Sequence, residues 1–296
     1  MKHRPAESSS GLTLVELLVA LALSALLSML AMHLLLQGRL ALSTEQARAS
    51  LHESGRYALR LLQREIEMSG FYAAWPVSPR SDLTGVGTPC FIYLSDTSTA
   101  MEILQNLNAQ GQSSPAHGAP DDCLLPGHMV VGSDAVIVRR SVDRPLENPG
   151  SSRNDSTYIA LSAGDARLSS GAGLALAETA WRYAPQVFFL RDFARKPGDG
   201  IPTLCRKRLS PNRPAMTPTE CLIEGIENLQ LSAAVDEDGD ERPDSYQDIT
   251  VVHRGSRAKA VSLDVTVRSL RRVPRAGKGA QYLRLRVSGL SPLRNA

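Results

Sequence analysis

The chain has 296 residues, 43% of them hydrophobic, 21% charged and 5% aromatic. That length holds one large domain or two modest ones with a real hydrophobic core, and ordinary Gly and Pro totals of 22 and 18 exclude disorder or a fibrous repeat for most of it. With 33 basic and 30 acidic residues the net charge is +3, too near balance for a dedicated DNA-binding domain, which needs a concentrated basic excess.

Residues 1–11, MKHRPAESSSG, are short and polar, with Lys2 and Arg4 near the start. LTLVE follows, and then 17–38 run LLVALALSALLSMLAMHLLLQG without a formal charge between Glu16 and Arg39. As an α-helix those positions rise about 33 Å, the thickness of a bilayer's hydrocarbon core. Ser24 and Ser28 can hydrogen-bond back along such a helix, so neither breaks it. A cleaved secretory signal has a shorter apolar core with its cleavage site after it; here the polar-to-apolar junction precedes a core that is too long. The basic leader favours a cytoplasmic N-terminus, with the rest of the chain sent across.

These residues resemble the N-terminus of a type IV prepilin: a short basic leader ending in Gly11, an apolar Leu12, Thr13, two aliphatics and Glu16. The resemblance implies cleavage after Gly11 by prepilin peptidase and methylation of the new amine on Leu12, a position more often Phe in the family. It also implies that Glu16 aligns subunits during assembly. Physical reasoning supports a special place for Glu16, because an unpaired carboxylate in a membrane helix costs a few kcal/mol. The positive end of the helix dipole and a positive partner such as a neighbouring subunit's terminal amine reduce that cost. The plainer alternative is a carboxylate that snorkels to the headgroups.

From Arg39 the sequence becomes charged without a Pro or Gly-rich break. Leu51, Gly55, Ala58, Leu62 and Ile66 recur at helical spacing, predicting one helix that is apolar in its first half, amphipathic in its second, and ends near Ser69-Gly70. The amphipathic face is expected to pack on the following domain; a coiled-coil partner is less consistent with so few apolar heptads. The expected divisions are a leader at 1–11, a transmembrane or filament-core half-helix at 12–38, an amphipathic half at 39–70, and a β-rich domain at 71–296.

Beyond Phe71 short alternating segments predict strands at 134–142, 157–161, 186–191, 222–235, 249–252, 260–270 and 281–287. Strands without helical crossovers after one long helix indicate an α+β, pilin-like fold: a long N-terminal helix packed on a mainly antiparallel sheet domain. Cys90, Cys123, Cys205 and Cys221 all lie beyond the apolar segment, on the side expected to be oxidising, where an even number pairs. Three connectivities are open, and sequence proximity favours Cys90–Cys123 and Cys205–Cys221. A metal–thiolate site is the competitor, but no CxxC pair is present.

Residues 236–244, DEDGDERPD, place Asp236, Asp238 and Asp240 at alternate positions around a Gly, with Asp244 and Asp248 following. One tight loop can thus direct several hard oxygens at a single cation, which suits Ca²⁺. Glu241 stands where comparable extracellular calcium loops often carry Gly, so backbone strain is expected there. A solvated acidic hairpin turn fits the same residues.

The stretch GIENLQLSAAVDEDGD at 225–240, with REIEMSGF at 64–71, Gly132-Ser133-Asp134 and the terminal Arg294-Asn295, resembles the PilW-type minor pilins. That resemblance implies a structural subunit that primes pilus assembly and sits at or near the tip. Its implied partners are other minor pilins, the major pilin, prepilin peptidase, the inner-membrane assembly platform and a tip adhesin. It also implies a single-pass inner-membrane protein that then moves into the filament. A GspJ-like pseudopilin of type II secretion has a similar layout and is the alternative. No hydrolase, zinc-protease or phosphate-loop motif stands in the expected setting, so an enzyme is not expected. His128 or His253 beside a Ser remains the nearest approach to a dyad. The basic runs at 206–208 and 271–272 read as solvated faces more readily than as a nucleic-acid site.

Overall fold

The structure, a computed structural model, describes residues 13–73, 78–83, 87–113, 119–275 and 279–295. Helix α1 (Leu14–Glu67) runs unbroken for 54 residues, about 81 Å at ~1.5 Å per residue. It stops slightly before the expected Ser69-Gly70: Met68 closes the last turn by donating its N–H to the Arg64 carbonyl, Ser69 donates to that of Ile66, and Gly70 reverses the chain at φ +71°.

The chain continues through β1 (Arg80–Ser81), α2 (Pro89–Leu94), β2 (Thr99–Leu104), β3 (Ala135–Val138), β4 (Ser141–Pro145), β5 (Thr157–Ser162), β6 (Asp165–Ser170) and β7 (Thr179–Tyr183). It then forms β8 (Gln186–Arg191), β9 (Thr203–Arg208), β10 (Glu220–Glu224), β11 (Ile226–Val235), β12 (Ser245–Gln247) and β13 (Val251–His253). The last elements are β14 (Ala258–Arg268), β15 (Val273–Arg275), β16 (Gly279–Gln281) and β17 (Arg284–Pro292). The architecture is therefore α+β, with every strand pairing antiparallel except the two-residue β1–β6 contact.

A four-stranded sheet, ordered β12-β11-β14-β17, carries the second half of α1. Leu51, Ala58, Leu62 and Ile66 join Leu229 and Leu231 of β11 and Val261, Leu263, Val265 and Val267 of β14 in one core. Gly55 belongs to the same stripe for a steric reason. A Cβ there would stand 3.1 Å from side-chain carbons of both Val267 and Val287. The reciprocal approach is at Gly289 of β17, where a Cβ would meet Gln63 Nε2 at 2.8 Å and Leu59 at 3.0 Å. Small residues on both elements let the helix lie close on the sheet.

A six-stranded sheet, ordered β10-β9-β8-β3-β2-β13, has apolar residues on both faces. Strand alternation sends Val136, Val138, Phe188 and Leu190 into the core shared with α1, and Ala135, Ile137, Val187 and Phe189 into a second core on the opposite face. Burial on both faces explains why AVIV and VFFL are unbroken apolar runs. The second core is covered by α2 and by the disulfide-bearing segments around Cys123. A five-stranded sheet, ordered β1-β6-β5-β7-β4, packs Ile159, Leu168 and Tyr183 with Tyr72 and Phe91 in a third cluster.

The expected strand at 222–235 is two strands. Gly225 divides them at φ +84°, and a Cβ on it would lie 2.7 Å from the Arg268 carbonyl oxygen. The segment 134–142 likewise divides between β3 and β4, and each half joins a different sheet.

Candidate assembly rod and acidic loop

The start of α1 organises Glu16. Thr13 is the N-cap, and its hydroxyl oxygen accepts the Glu16 N–H at 3.3 Å. In return Glu16 Oε2 accepts the Thr13 N–H and hydroxyl, each at 2.9 Å. This reciprocal capping box satisfies N–H groups that every helix start leaves open. The Thr-x-x-Glu spacing was its sequence signal, passed over in favour of Glu16's role between subunits. One carboxylate oxygen thus serves the helix of its own chain, while Oε1 makes no hydrogen bond among the described residues. Gly11 and Leu12, the expected cleavage junction and methylation position, lie outside the described residues.

From Leu14 to Leu36 every large apolar side chain is at least half exposed, from 52% at Val19 and Leu36 to 74% at Leu14 and Met29. The helix is long and apolar enough to cross a membrane, and its most apolar stretch is nowhere buried against the described residues. Its polar side chains are satisfied within the helix. Ser24 Oγ donates to the Leu21 carbonyl at 2.9 Å, Ser28 Oγ to that of Ser24 at 2.7 Å, and Gln37 meets His33 at 2.7 Å. Among the described residues no partner inside the chain covers this surface, which is the physical signature of a helix that meets lipid or other apolar helices.

The second feature is the loop between β11 and β12. A carboxylate oxygen from each of Asp236, Asp238 and Asp244 lies within 4.8 Å of the others. Asp240 and Asp248 do not join that group. Asp240 Oδ1 turns instead to the Arg242 N–H at 2.8 Å, and Asp248 lies beyond β12. Asp236 is buried, accepting the N–H groups of Gly239 at 2.6 Å and Glu241 at 3.0 Å, with Lys259 Nζ 3.7 Å away. Burial pushes its carboxyl pKa up, but the two N–H donors and Lys259 outweigh that and hold it below the usual range. Asp244 Oδ2 accepts from the N–H of Glu237 at 2.8 Å, and Asp238 Oδ1 from that of Asp240 at 3.1 Å. Glu241 adopts φ +68°, the left-handed conformation anticipated where Gly is the easier residue. An acidic triad able to hold a metal ion thus exists, two of its members exposed and one buried.

The four cysteines form two disulfides, Cys90–Cys123 with Cα atoms 5.0 Å apart and Cys205–Cys221 at 3.9 Å. The first ties α2 to the segment covering the second core, and the second staples the β9–β10 pair.

The features nearest to other chemistries are used structurally. His128 sits 3.5 Å from Asp192 and packs edge-on against Phe193, while His253 Nδ1 faces the Ser98 carbonyl. Neither meets a Ser hydroxyl among the described residues. The 206–208 basic run is split between two faces. Arg206 and Arg208 pair with Glu220 at 3.0 and 3.2 Å, while Lys207 Nζ donates to the carbonyls of Asp122 and Leu124.

Comparison with curated proteins and with solved structures finds no match. A family model does match, over residues 187–289: PilW, described as Type IV Pilus-assembly protein W. The matched stretch runs from β8 into β17 and includes the acidic loop and most of the sheet on which α1 lies. The C-terminal region of this chain, residues 187–289, is thus similar to the PilW domain of type IV pilus-assembly proteins.

Proposed function

We propose that the chain is a minor pilin, a structural subunit that primes type IV pilus assembly and is built in at or near the tip. The observation that carries this reading is the two-part helix. Its first half presents an uncovered apolar surface, and its second half is fixed into a domain whose C-terminal region matches PilW. A helix of that kind leaves lipid for a bundle of equally apolar helices at little net cost in hydrophobic free energy.

In this reading residues 1–11 are a leader removed after Gly11 by prepilin peptidase, and Leu12 becomes the methylated N-terminus. Residues 12–38 then cross the inner membrane with the N-terminus in the cytoplasm, 39–70 form the amphipathic half, and 71–296 form the head outside the membrane. Glu16 keeps Oε1 for a neighbour's terminal amine while Oε2 caps its own helix. The partners are other minor pilins, the major pilin, the assembly platform and a tip adhesin. The work is done by surfaces and not by catalysis, and Ca²⁺ held by Asp236, Asp238 and Asp244 braces the loop between β11 and β12.

The test is the N-terminus of the mature chain isolated from cells, together with pilus recovery from a Glu16→Ala strain. A start at Leu12 and a variant that is stable in the membrane but missing from sheared filaments support the proposal. A chain still beginning at Met1 overturns it. Recovery with secretion components instead of pili supports the pseudopilin alternative.

A further inference from the structure

A groove of about 1170 Å³ runs between the middle of α1 and the turn that follows β14. Arg56 and Arg60 of α1 line one wall, and Arg271 and Arg272 the other. Among the described residues none of these four makes an ion pair, whereas the adjacent Arg268 is held by Glu227 at 3.8 Å. Glu53 and Glu224 also line the groove, so cations remain in excess. Tyr57 and Leu270, 58% and 44% exposed, supply apolar surface beside them.

The opposite charge lies at the other pole of the same sheet. Val267 of β14 sits opposite Ile226 at the groove, while Ala258 sits opposite Val235 at the root of the acidic loop. Nine residues of strand separate those positions by about 30 Å. The loop exposes Glu237, Asp238, Asp240, Glu241 and Asp244, with Arg242 as its single cation. Helix α1 runs in the direction from groove to loop, because Gly55 approaches Val267 whereas Gln63 donates to the Leu290 carbonyl at 3.0 Å. The basic groove therefore faces the apolar half of the rod, and the acidic loop faces away from it.

Lipid headgroups do not fit as the groove's occupant. Arg56 lies 18 residues beyond Gly38, about 27 Å along the helix, whereas headgroups extend only about 5–7 Å beyond the hydrocarbon on each side. The same chain's loop cannot reach the groove either. We propose that the groove receives the acidic β11–β12 loop of a second copy of this chain, in a head-to-tail contact with the two rods parallel and displaced along their axes. Such an interface is heterologous and open, so it propagates and does not close as a dimer. It goes beyond the minor-pilin reading, whose partners are other subunits, and does not rest on it. The contact itself involves the groove and the loop and none of the apolar half of the rod.

The test uses the full chain, purified in non-ionic detergent with a chelator present, and follows its mass by sedimentation. At low salt the chain is expected to associate progressively with concentration, with a dissociation constant rising about tenfold or more at roughly 0.5 M salt. Arg271→Glu/Arg272→Glu and Asp240→Lys/Glu241→Lys are each expected to be monomeric. Mixed in equal amounts they should associate again, because the unaltered loop of the first meets the unaltered groove of the second, and the two altered surfaces also carry opposite charges. This restoration separates a lost contact from a misfolded variant. Association that is unchanged in both variants places the contact in the apolar spans and overturns the proposal. A monomer at every salt, failure of the mixed variants to pair, or a monomer that retards duplex DNA through Arg271 and Arg272 also overturns it. None of these outcomes depends on leader cleavage or filament growth, so failure here leaves the minor-pilin reading to its own test.

Discussion

Glu65, on the last turn of α1, takes the guanidinium of Arg140 with both carboxylate oxygens, at 2.8 and 3.1 Å. Gln186 Nε2 adds a third donor at 2.7 Å, and the pair is largely shielded, with Glu65 7% exposed. Arg140 lies between β3 and β4 and Gln186 opens β8, so one carboxylate joins the rod to two sheets. Whatever force reaches the rod is transmitted to the head partly through this contact.

Removing that carboxylate leaves a half-buried guanidinium without its counter-charge. Glu65→Ala is expected to lose about 3–5 kcal/mol of stability, whereas adding Arg140→Ala to it should cost much less than the sum of the single changes. Denaturant unfolding of the four chains in a double-mutant cycle measures the coupling. Additive losses would show that the two groups act independently.

The close approach of α1 to β14 and β17 makes a second prediction at Gly55. Helix propensity alone favours replacing this glycine by about 1 kcal/mol. Any longer side chain, however, runs into Val267 and Val287, already 3.1 Å from an added Cβ. Gly55→Leu is therefore expected to lose about 1–3 kcal/mol by overpacking. Gly38→Ala, where nothing lies within 4 Å, should not destabilise the helix. A thermal melt that ranks Gly55→Leu above the wild type would overturn this account of the contact.

The rod was legible because two independent periodicities wrote it: an uncharged run of membrane length, then a stripe at Leu51, Gly55, Ala58, Leu62 and Ile66, every member of which is buried. Strand β8 was read at its bounds, since a short apolar run flanked by Pro185 and Asp192 has few other meanings. Strand β2, TAMEIL, was missed because burial of all six residues removes the alternation that marks a half-exposed strand. Strand β9 hid behind Arg206, Lys207 and Arg208, whose charges are satisfied by Glu220 and by two carbonyls from distant segments. Pairing of that kind is invisible to local pattern. In the acidic loop the composition was visible, but the turning of Asp240 toward Arg242 depends on backbone geometry.

Asp134 carries a pH dependence that composition did not reveal. Its carboxylate accepts the Asn106 N–H at 2.8 Å and the Leu231 N–H at 2.7 Å, locking the approach to β3 onto β11. Burial pushes its pKa up to about 6 against the pull of those two donors, and the charge of Asp248 adds to the rise. A folded-state pKa above the unfolded value of 3.8 means that the native chain holds the extra proton between the two. This contribution to stability is present below about pH 4 and is lost as pH rises through about 6, on the order of 3 kcal/mol. Asp134→Asn should flatten the stability profile across that window. A slope that is unchanged in the variant would assign the titration to another group.

The acidic loop sets strain against charge. Glu241 holds φ +68°, which costs a side-chain-bearing residue about 1 kcal/mol or more, so Glu241→Gly is expected to stabilise the metal-free chain by up to that amount. The triad of Asp236, Asp238 and Asp244 brings like charges together, and each oxygen that accepts one N–H keeps a second lone pair for a cation. Ca²⁺ at about ten times its dissociation constant should therefore add roughly 1.4 kcal/mol, read as a rise in melting temperature. Asp238→Asn is the informative variant: its side chain is exposed, whereas Asp236 also holds Gly239, Glu241 and Lys259 in place. The variant should melt near the metal-free wild type but respond much less to Ca²⁺. Equal responses in the two chains would remove Asp238 from the ligand set, and no response of the wild type at millimolar Ca²⁺ would leave the loop as a charged turn.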